Sequence, residues 1–248
     1  DAVFLYATLS ESSCADIEKT LSAIDPNIHF FRFDSYRPAV YAEEARTLGL
    51  LLGKEEEAER FLAFYENATG TVAEVVDAVP VKDRVPVYLE SWNDYKSAGK
   101  GSGYDEKIQL AGGRNIFAEN PVEYPVVDPE AVISRNPDVI IKLVGAGETA
   151  FGGYGDDDRS SFEPVLRSIG DRPVWNQIKA VRDGRVHIIH TDVIGGPDYF
   201  IGVAYLAKWF YPDHFGDLDP RTVHQQYLKE FQRLDYDLDE HGTFVYPA

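Results

Sequence analysis

One long-range pattern occurs twice in this chain, and it limits the possible folds more than any other feature. Asp1-Ala-Val-Phe-Leu, a helical stretch and Ile28-His-Phe-Phe-Arg-Phe-Asp34 are echoed by Asp138-Val-Ile-Ile-Lys, a helical stretch and Val186-His-Ile-Ile-His-Thr-Asp192. In each copy an acidic residue opens a short apolar run, the signature of a buried parallel strand, and the second run ends on Asp. So wide a spacing is not a solenoid period. It implies two α/β lobes of related design, with ligand bound in the cleft between them.

The copies are unequal. Asp128-Pro-Glu-Ala-Val-Ile-Ser-Arg-Asn-Pro137 precedes the second copy and reads as a helix with Asp as N-cap, Pro in the first turn and an Asn-Pro stop. Nothing precedes Asp1. The first lobe is therefore expected to be a remnant over residues 1–36. Its two strands, Val3 to Tyr6 and Ile28 to Phe33, are expected to leave an edge through which copies of the chain self-associate.

A formal net charge of −18 excludes nucleic acid as a partner, because phosphates need clustered Lys and Arg. The ordinary reading of that charge is an acidic, solubilising surface. A sharper one is a cation site, for which Asp156-Asp157-Asp158 is the best support. The single cysteine, Cys14, rules out an internal disulfide and any cysteine-based metal cluster. No apolar window is long enough to span a bilayer.

Residues 37–84 read as helical. Tyr41, Ala45, Leu48, Leu51 and Leu52 follow helical spacing up to Gly53, and a second helix runs from about Lys54 to Ala78, ended by Pro80. The second is long enough to join two lobes. From Val85 to the C-terminus strands and helices alternate. The strands are Val85 to Ser91, Asp138 to Val144 and Arg185 to His190; the helices are Tyr104 to Ala111, the one from Asp128, one carrying Val165, Leu166 and Ile169, then Tyr199 to Phe210 and Pro220 to Phe231. Residues 85–248 thus form an α/β lobe with a mainly parallel, doubly wound sheet. Ligands of such sheets lie beyond the carboxyl ends of the strands.

Three loops at those ends carry the candidate ligand-binding residues: Trp92, Tyr95, Lys96, Lys100, Ser102 and Tyr104 in the first, Tyr154 and Arg159 in the second, Tyr199 and Phe200 in the third. Aromatic rings among glycines in solvated loops suit a planar or aryl-bearing ligand, and the cations suit an anionic one. Packing and solvation are the ordinary alternatives for each. Enzyme signatures are weak. Gly99-Lys-Gly-Ser-Gly103 is not a dinucleotide fingerprint, and Ser102 is not in a nucleophile elbow. His187 and His190 stand three apart on a strand and face opposite ways, so they cannot share a metal. No catalytic residue, metal ligand or cofactor is assigned.

Leu110-Ala-Gly-Gly-Arg-Asn115, the run from Val127 to Ile141, Trp175-Asn-Gln-Ile-Lys-Ala-Val-Arg-Asp-Gly-Arg-Val-His187 and the run from Gly196 to Pro212 together resemble the substrate-binding proteins of ABC importers for iron-siderophore complexes, haem and cobalamin. The resemblance covers essentially the whole chain and implies two Rossmann-like lobes joined by one long helix, the first only partly present. It also implies an extracytoplasmic, non-enzymatic protein that captures an iron(III) chelate or a corrinoid and delivers it to a membrane permease. The metal then belongs to the ligand. Glu163 matches the carboxylate that docks on a permease arginine. Two other readings stay open: a carrier of bare metal, and an α/β enzyme using the Gly99 to Gly103 loop on a phosphorylated small molecule.

Overall fold

The computed structural model describes residues 1–6 and 11–247. Among these, the repeat appears as two separate parallel strand pairs. Strand β1 (Ala2–Tyr6) leads through helix α1 (Glu11–Ser22) to β2 (His29–Phe33), and the two pair in parallel from Ala2 opposite His29 to Tyr6 opposite Phe33. The second pair is β5 (Val139–Val144) with β6 (Val186–His190), where Ile141 stands opposite His187. The equivalent histidines differ in register by two residues, which keeps every side chain on its own face.

Helices α2 (Tyr41–Leu52) and α3 (Glu55–Val76) follow the first pair. Gly53 ends α2 in the left-handed conformation, φ 62°, a backbone shape that glycine adopts without a Cβ clash. The 22 residues of α3 make a rod of roughly 33 Å. One face, Leu62, Tyr65, Ala68, Val72 and Val76, is buried along α8 (Tyr199–Phe210). Phe61, Phe64 and Tyr65 all meet the Phe200 ring edge-on.

The larger sheet has the order β4 (Gly113–Asn115), β3 (Val85–Glu90), β5, β6, β7 (Val245–Tyr246) and is parallel except for β7. All six residues of β5 are buried, because helices cover both faces. Val139, Ile141 and Leu143 pack toward α3, α4 (Gly103–Leu110) and α8, whereas Ile140 faces α5 (Pro129–Arg135), α7 (Lys179–Arg182) and Trp175. Val144 meets Phe162 at the start of α6 (Phe162–Gly170). This arrangement is the physical reason for continuous apolar runs in the sequence. Helix α9 (Pro220–Tyr227) is shorter than its periodicity suggests. The chain passes into a π turn over Leu228–Gln232 and leaves it at Arg233 with φ 56°. The architecture is the α/β fold of two mainly parallel sheets expected from the pattern.

Candidate ligand cleft

A cavity of about 300 Å³ lies between the two sheets, lined by Tyr6, Tyr36, Ser91, Trp92, Lys96, Tyr104, Tyr124 and Gly195. It opens where the carboxyl ends of β1, β2, β3 and β6 deliver their loops, the place a doubly wound sheet offers to a ligand. A larger cavity of about 570 Å³ sits on the far side of α8, against α9 and β7. Gly184 and Arg185, before β6, line it, so it lies at the opposite end of β6 from this cleft and shares no lining residue with it.

The loop bearing Trp92 and Lys96 is held from below by a buried ionic network. Glu90, the last residue of β3, and Lys142 within β5 are cross-strand partners. The fully buried Glu90 carboxylate accepts hydrogen bonds from Lys142 Nζ (2.8 Å), both Arg172 amino groups (2.8 and 2.9 Å), the Tyr88 hydroxyl (2.9 Å) and the Tyr95 amide (2.9 Å). Burial pushes its pKa up, but Arg172 and Lys142 more than offset this and hold it below the usual glutamate value. Asp94 completes the network, 3.2 Å from Lys142 and 3.0 Å from Arg172. Tyr95 sits at φ 59°, an unfavourable backbone for a side chain of its size, and is fixed there by the Arg172 guanidinium over its ring and by Trp175 at its edge.

Helix α4 forms the floor. Ser102 is its N-cap, with Oγ accepting from the Asp105 amide at 3.1 Å and donating to the Gly99 carbonyl at 3.0 Å. A Cβ on Gly103 would fall 2.2 Å from the Tyr36 ring, so this position has to be glycine for Tyr36 to lie against the helix. Arg37, the next residue, ion-pairs with Glu106 of α4 and ties the segment after β2 to the larger sheet. The Tyr36 and Tyr124 hydroxyls are bonded to each other at 3.1 Å. Burial raises the pKa of Tyr6 to about 12 and those of Tyr36, Tyr104 and Tyr124 upward as well, so all four phenols keep their protons at physiological pH.

The structure brings together three of the sequence candidates here: Trp92, Lys96 and Tyr104. The others lie elsewhere. Tyr199 and Phe200 begin α8 with their rings turned inward, fully buried, and the Tyr199 hydroxyl bonds to that of Tyr65 at 2.7 Å. Tyr95 belongs to the Trp175 side of the sheet. Tyr154 bonds to His224 Nε2 at 2.6 Å and packs on Phe244, while Arg159 lines the larger cavity. Lys100 is exposed. Tyr6, Tyr36, Ser91 and Tyr124 complete the cleft, and no linear motif marks them. The nearest signal is the small residue at 103 that Tyr36 requires.

Other groups singled out in the sequence also have partners. The amides of Gly99 and Lys100 donate to the Glu123 and Asn120 carbonyls and that of Ser102 to the Gly99 carbonyl, so these N–H groups of the glycine-rich loop are not presented to a phosphate. Asp156 accepts from the Gly152 and Asp158 amides, Asp157 from Gly242 and His241, and Asp158 from Ser160. His187 stacks on Trp209 at 4.4 Å and 8°, and burial lowers its pKa to about 4. Among the described residues no group of three His, Cys, Asp or Glu side chains is placed to hold a metal ion, and no helix is long and apolar enough to cross a membrane.

The sequence pattern of the periplasmic binding protein family matches residues 4–193, more than half of the chain. The chain belongs to that family. Among relatives of this periplasmic binding protein, the vitamin B12-binding protein of Salmonella paratyphi A is 38% identical over 68 residues, 27% of this chain and 26% of its own length. The cobalamin-binding protein of Halobacterium salinarum is 33% identical over 108 residues, 42% and 28% of the two chains. These matches span about a quarter of each relative. Among solved structures, the TroA-like periplasmic binding protein FepB of Veillonella parvula superposes with a TM-score of 0.82 at 22% identity, covering 99% of this chain and 71% of its own. Molybdate-bound MolA of Haemophilus influenzae gives 0.69 at 19% identity, covering 96% and 73%. At these identities the structural matches establish the fold.

Proposed function

We propose that this protein is the solute-capturing component of an ABC importer, working outside the cytoplasm, that takes a corrinoid or an iron(III) chelate into the cleft and delivers it to a membrane permease. The observation that carries the reading is the cleft itself: Trp92 and tyrosines at the strand ends between two sheets, in a member of a binding-protein family whose relatives include proteins named for vitamin B12 and cobalamin. The rings would cover the ligand's apolar faces, and Lys96 would meet its anionic oxygens. Residues 1–36 and 85–248 would act as the two lobes, with residues 37–84 as a stiff helical connection.

Glu163 is the proposed permease contact. It is exposed in the first turn of α6, where the helix dipole favours it, and it pairs with Arg167, one turn on at 2.5 Å. β1 and β2 pair only with each other among the described residues and expose Phe4 and Tyr6. We propose that this edge lets the chain self-associate, which sizing against concentration would show.

A thermal-shift panel of cobalamin, ferric siderophores, haem, divalent metals and nucleotides tests the reading. A ligand at 100 times its Kd stabilises by about 2.7 kcal/mol. The expected result is a raised midpoint with a metal chelate. A response to nucleotides alone would overturn the reading.

A further inference from the structure

The cleft differs in charge from the rest of the molecule. The chain carries 42 Asp and Glu residues, yet among the described residues none lines the cleft, whereas Lys96 does. Beneath the floor lies a second cation. Lys107 of α4 is fully buried, its Nζ 2.8 Å from the Ile194 carbonyl and 4.7, 4.9 and 5.1 Å from the ring centres of Tyr36, Tyr104 and Tyr199. Two of those rings line the cleft, so the ammonium grips the aromatic floor from behind by cation–π contact. Ser91 supplies the other unusual feature. It lines the cleft, is 5% exposed, and its Oγ has no hydrogen-bond partner among the described residues. A buried hydroxyl without a partner is costly unless a ligand satisfies it.

We propose that the cleft floor is an anionic-oxygen subsite, in which Ser91 Oγ and the phenols of Tyr36 and Tyr104 donate to a carboxylate, phosphate or similar oxygen of the ligand, with Lys107 as the positioning residue that holds the two rings and supplies the positive field. This deepens the proposed uptake function, and rests on it only for the identity of the complete ligand. The phenols are protonated throughout the physiological range, so they act as donors. Lys107 is the group that changes charge there, since burial lowers its pKa to about 7. The carboxylates acting on it are Asp198 before α8, Glu106 on α4 and Asp34 after β2, of which Glu106 and Asp34 are also paired with Arg37. Asp198, itself raised to about 6 by burial, loses charge only at the acidic end of the range. Protonation of Lys107 therefore strengthens anion binding as pH falls through neutrality.

The test is ring 1H–13C NMR of the tyrosine-labelled chain titrated with sulfate, whose charge is constant between about pH 6 and pH 9. Saturable shifts of Tyr36 and Tyr104 are expected, weakened roughly tenfold by Ser91→Ala. Affinity should fall with rising pH in the wild type. Lys107→Met should remove that dependence while Lys107→Arg, which keeps a cation at the floor, retains binding at high pH. Should Lys107→Met fail to fold, the wild-type pH profile and Ser91→Ala decide alone. The absence of saturable shifts, or equal binding by Ser91→Ala with a flat wild-type pH profile, would overturn the subsite. Cyanocobalamin is then added as a competitor. Failure to displace sulfate counts against the corrinoid reading and leaves the subsite standing.

Discussion

Glu90→Gln perturbs the group that fixes the cleft loop while barely changing its volume. The carboxylate is fully buried and receives hydrogen bonds from Lys142, Arg172, Tyr88 and the Tyr95 amide. A glutamine carbonyl can still accept from Tyr88 and Tyr95, but the amide nitrogen must then face the cations. Lys142 and Arg172 are 2% and 8% exposed, so they would keep only the solvent-facing Asp94 as a counter-charge. Removing one partner of a buried ion pair costs about 3–5 kcal/mol, against a total stability of roughly 5–15 kcal/mol. With a urea slope of about 2–3 kcal/mol/M, the unfolding midpoint should drop by roughly 1–2 M with the slope unchanged. The pH dependence has a definite sign. Because the folded pKa of Glu90 is depressed, its contribution is fully present above the ordinary glutamate value and is lost as pH falls through the lower folded value. The variant should lack this part of the acid limb. A midpoint shift worth less than about 1 kcal/mol at neutral pH, or an unaltered acid limb, would show that the network does not hold the loop.

Three further outcomes follow from the same geometry. Tyr199→Ala should lower stability by about 3–5 kcal/mol in urea unfolding, because that ring fills the interface of α3 with α8, and its effect on binding should come only through the fold. The Lys107 ammonium is disfavoured in the native state but not in the unfolded one, so wild-type stability should rise from this group between pH of about 7 and 10.5, and Lys107→Met should flatten that rise in pH-resolved unfolding curves. Glu163→Ala should leave ligand affinity unchanged and reduce uptake in a reconstituted transport assay, since the residue is exposed and is not among the residues that line the cleft.

The sequence revealed the strands and helices that have a full period of apolar residues, and it missed those that do not. Strand β4 has three residues, Gly113, Arg114 and Asn115, and its buried Asn115 serves the Asp105 carboxylate and the Ala98 carbonyl, so no hydrophobic pattern marks it. Strand β7 has two residues and is recruited as an antiparallel edge by β6. The cleft was half legible for a different reason. Carboxyl ends of strands can be found from the pattern, which placed Trp92, Lys96 and Tyr104. Which way a loop residue turns depends on the neighbouring helix. Tyr199 and Phe200 leave a strand end as Trp92 does, but α3 covers them. Tyr6, Tyr36, Ser91 and Tyr124 are scattered over more than a hundred residues and meet only in the folded chain.

The most direct test of the account is calorimetric titration of the chain, and of Trp92→Ala, with the metal chelate that raises its thermal midpoint. Trp92 is half-buried on the cleft wall, and covering an aromatic ring of this kind contributes roughly 1.5–3 kcal/mol. The account predicts saturable binding that Trp92→Ala weakens by about tenfold or more, with an unchanged unfolding midpoint in the absence of ligand. Equal affinity in the two proteins would contradict it and place the ligand outside this cleft.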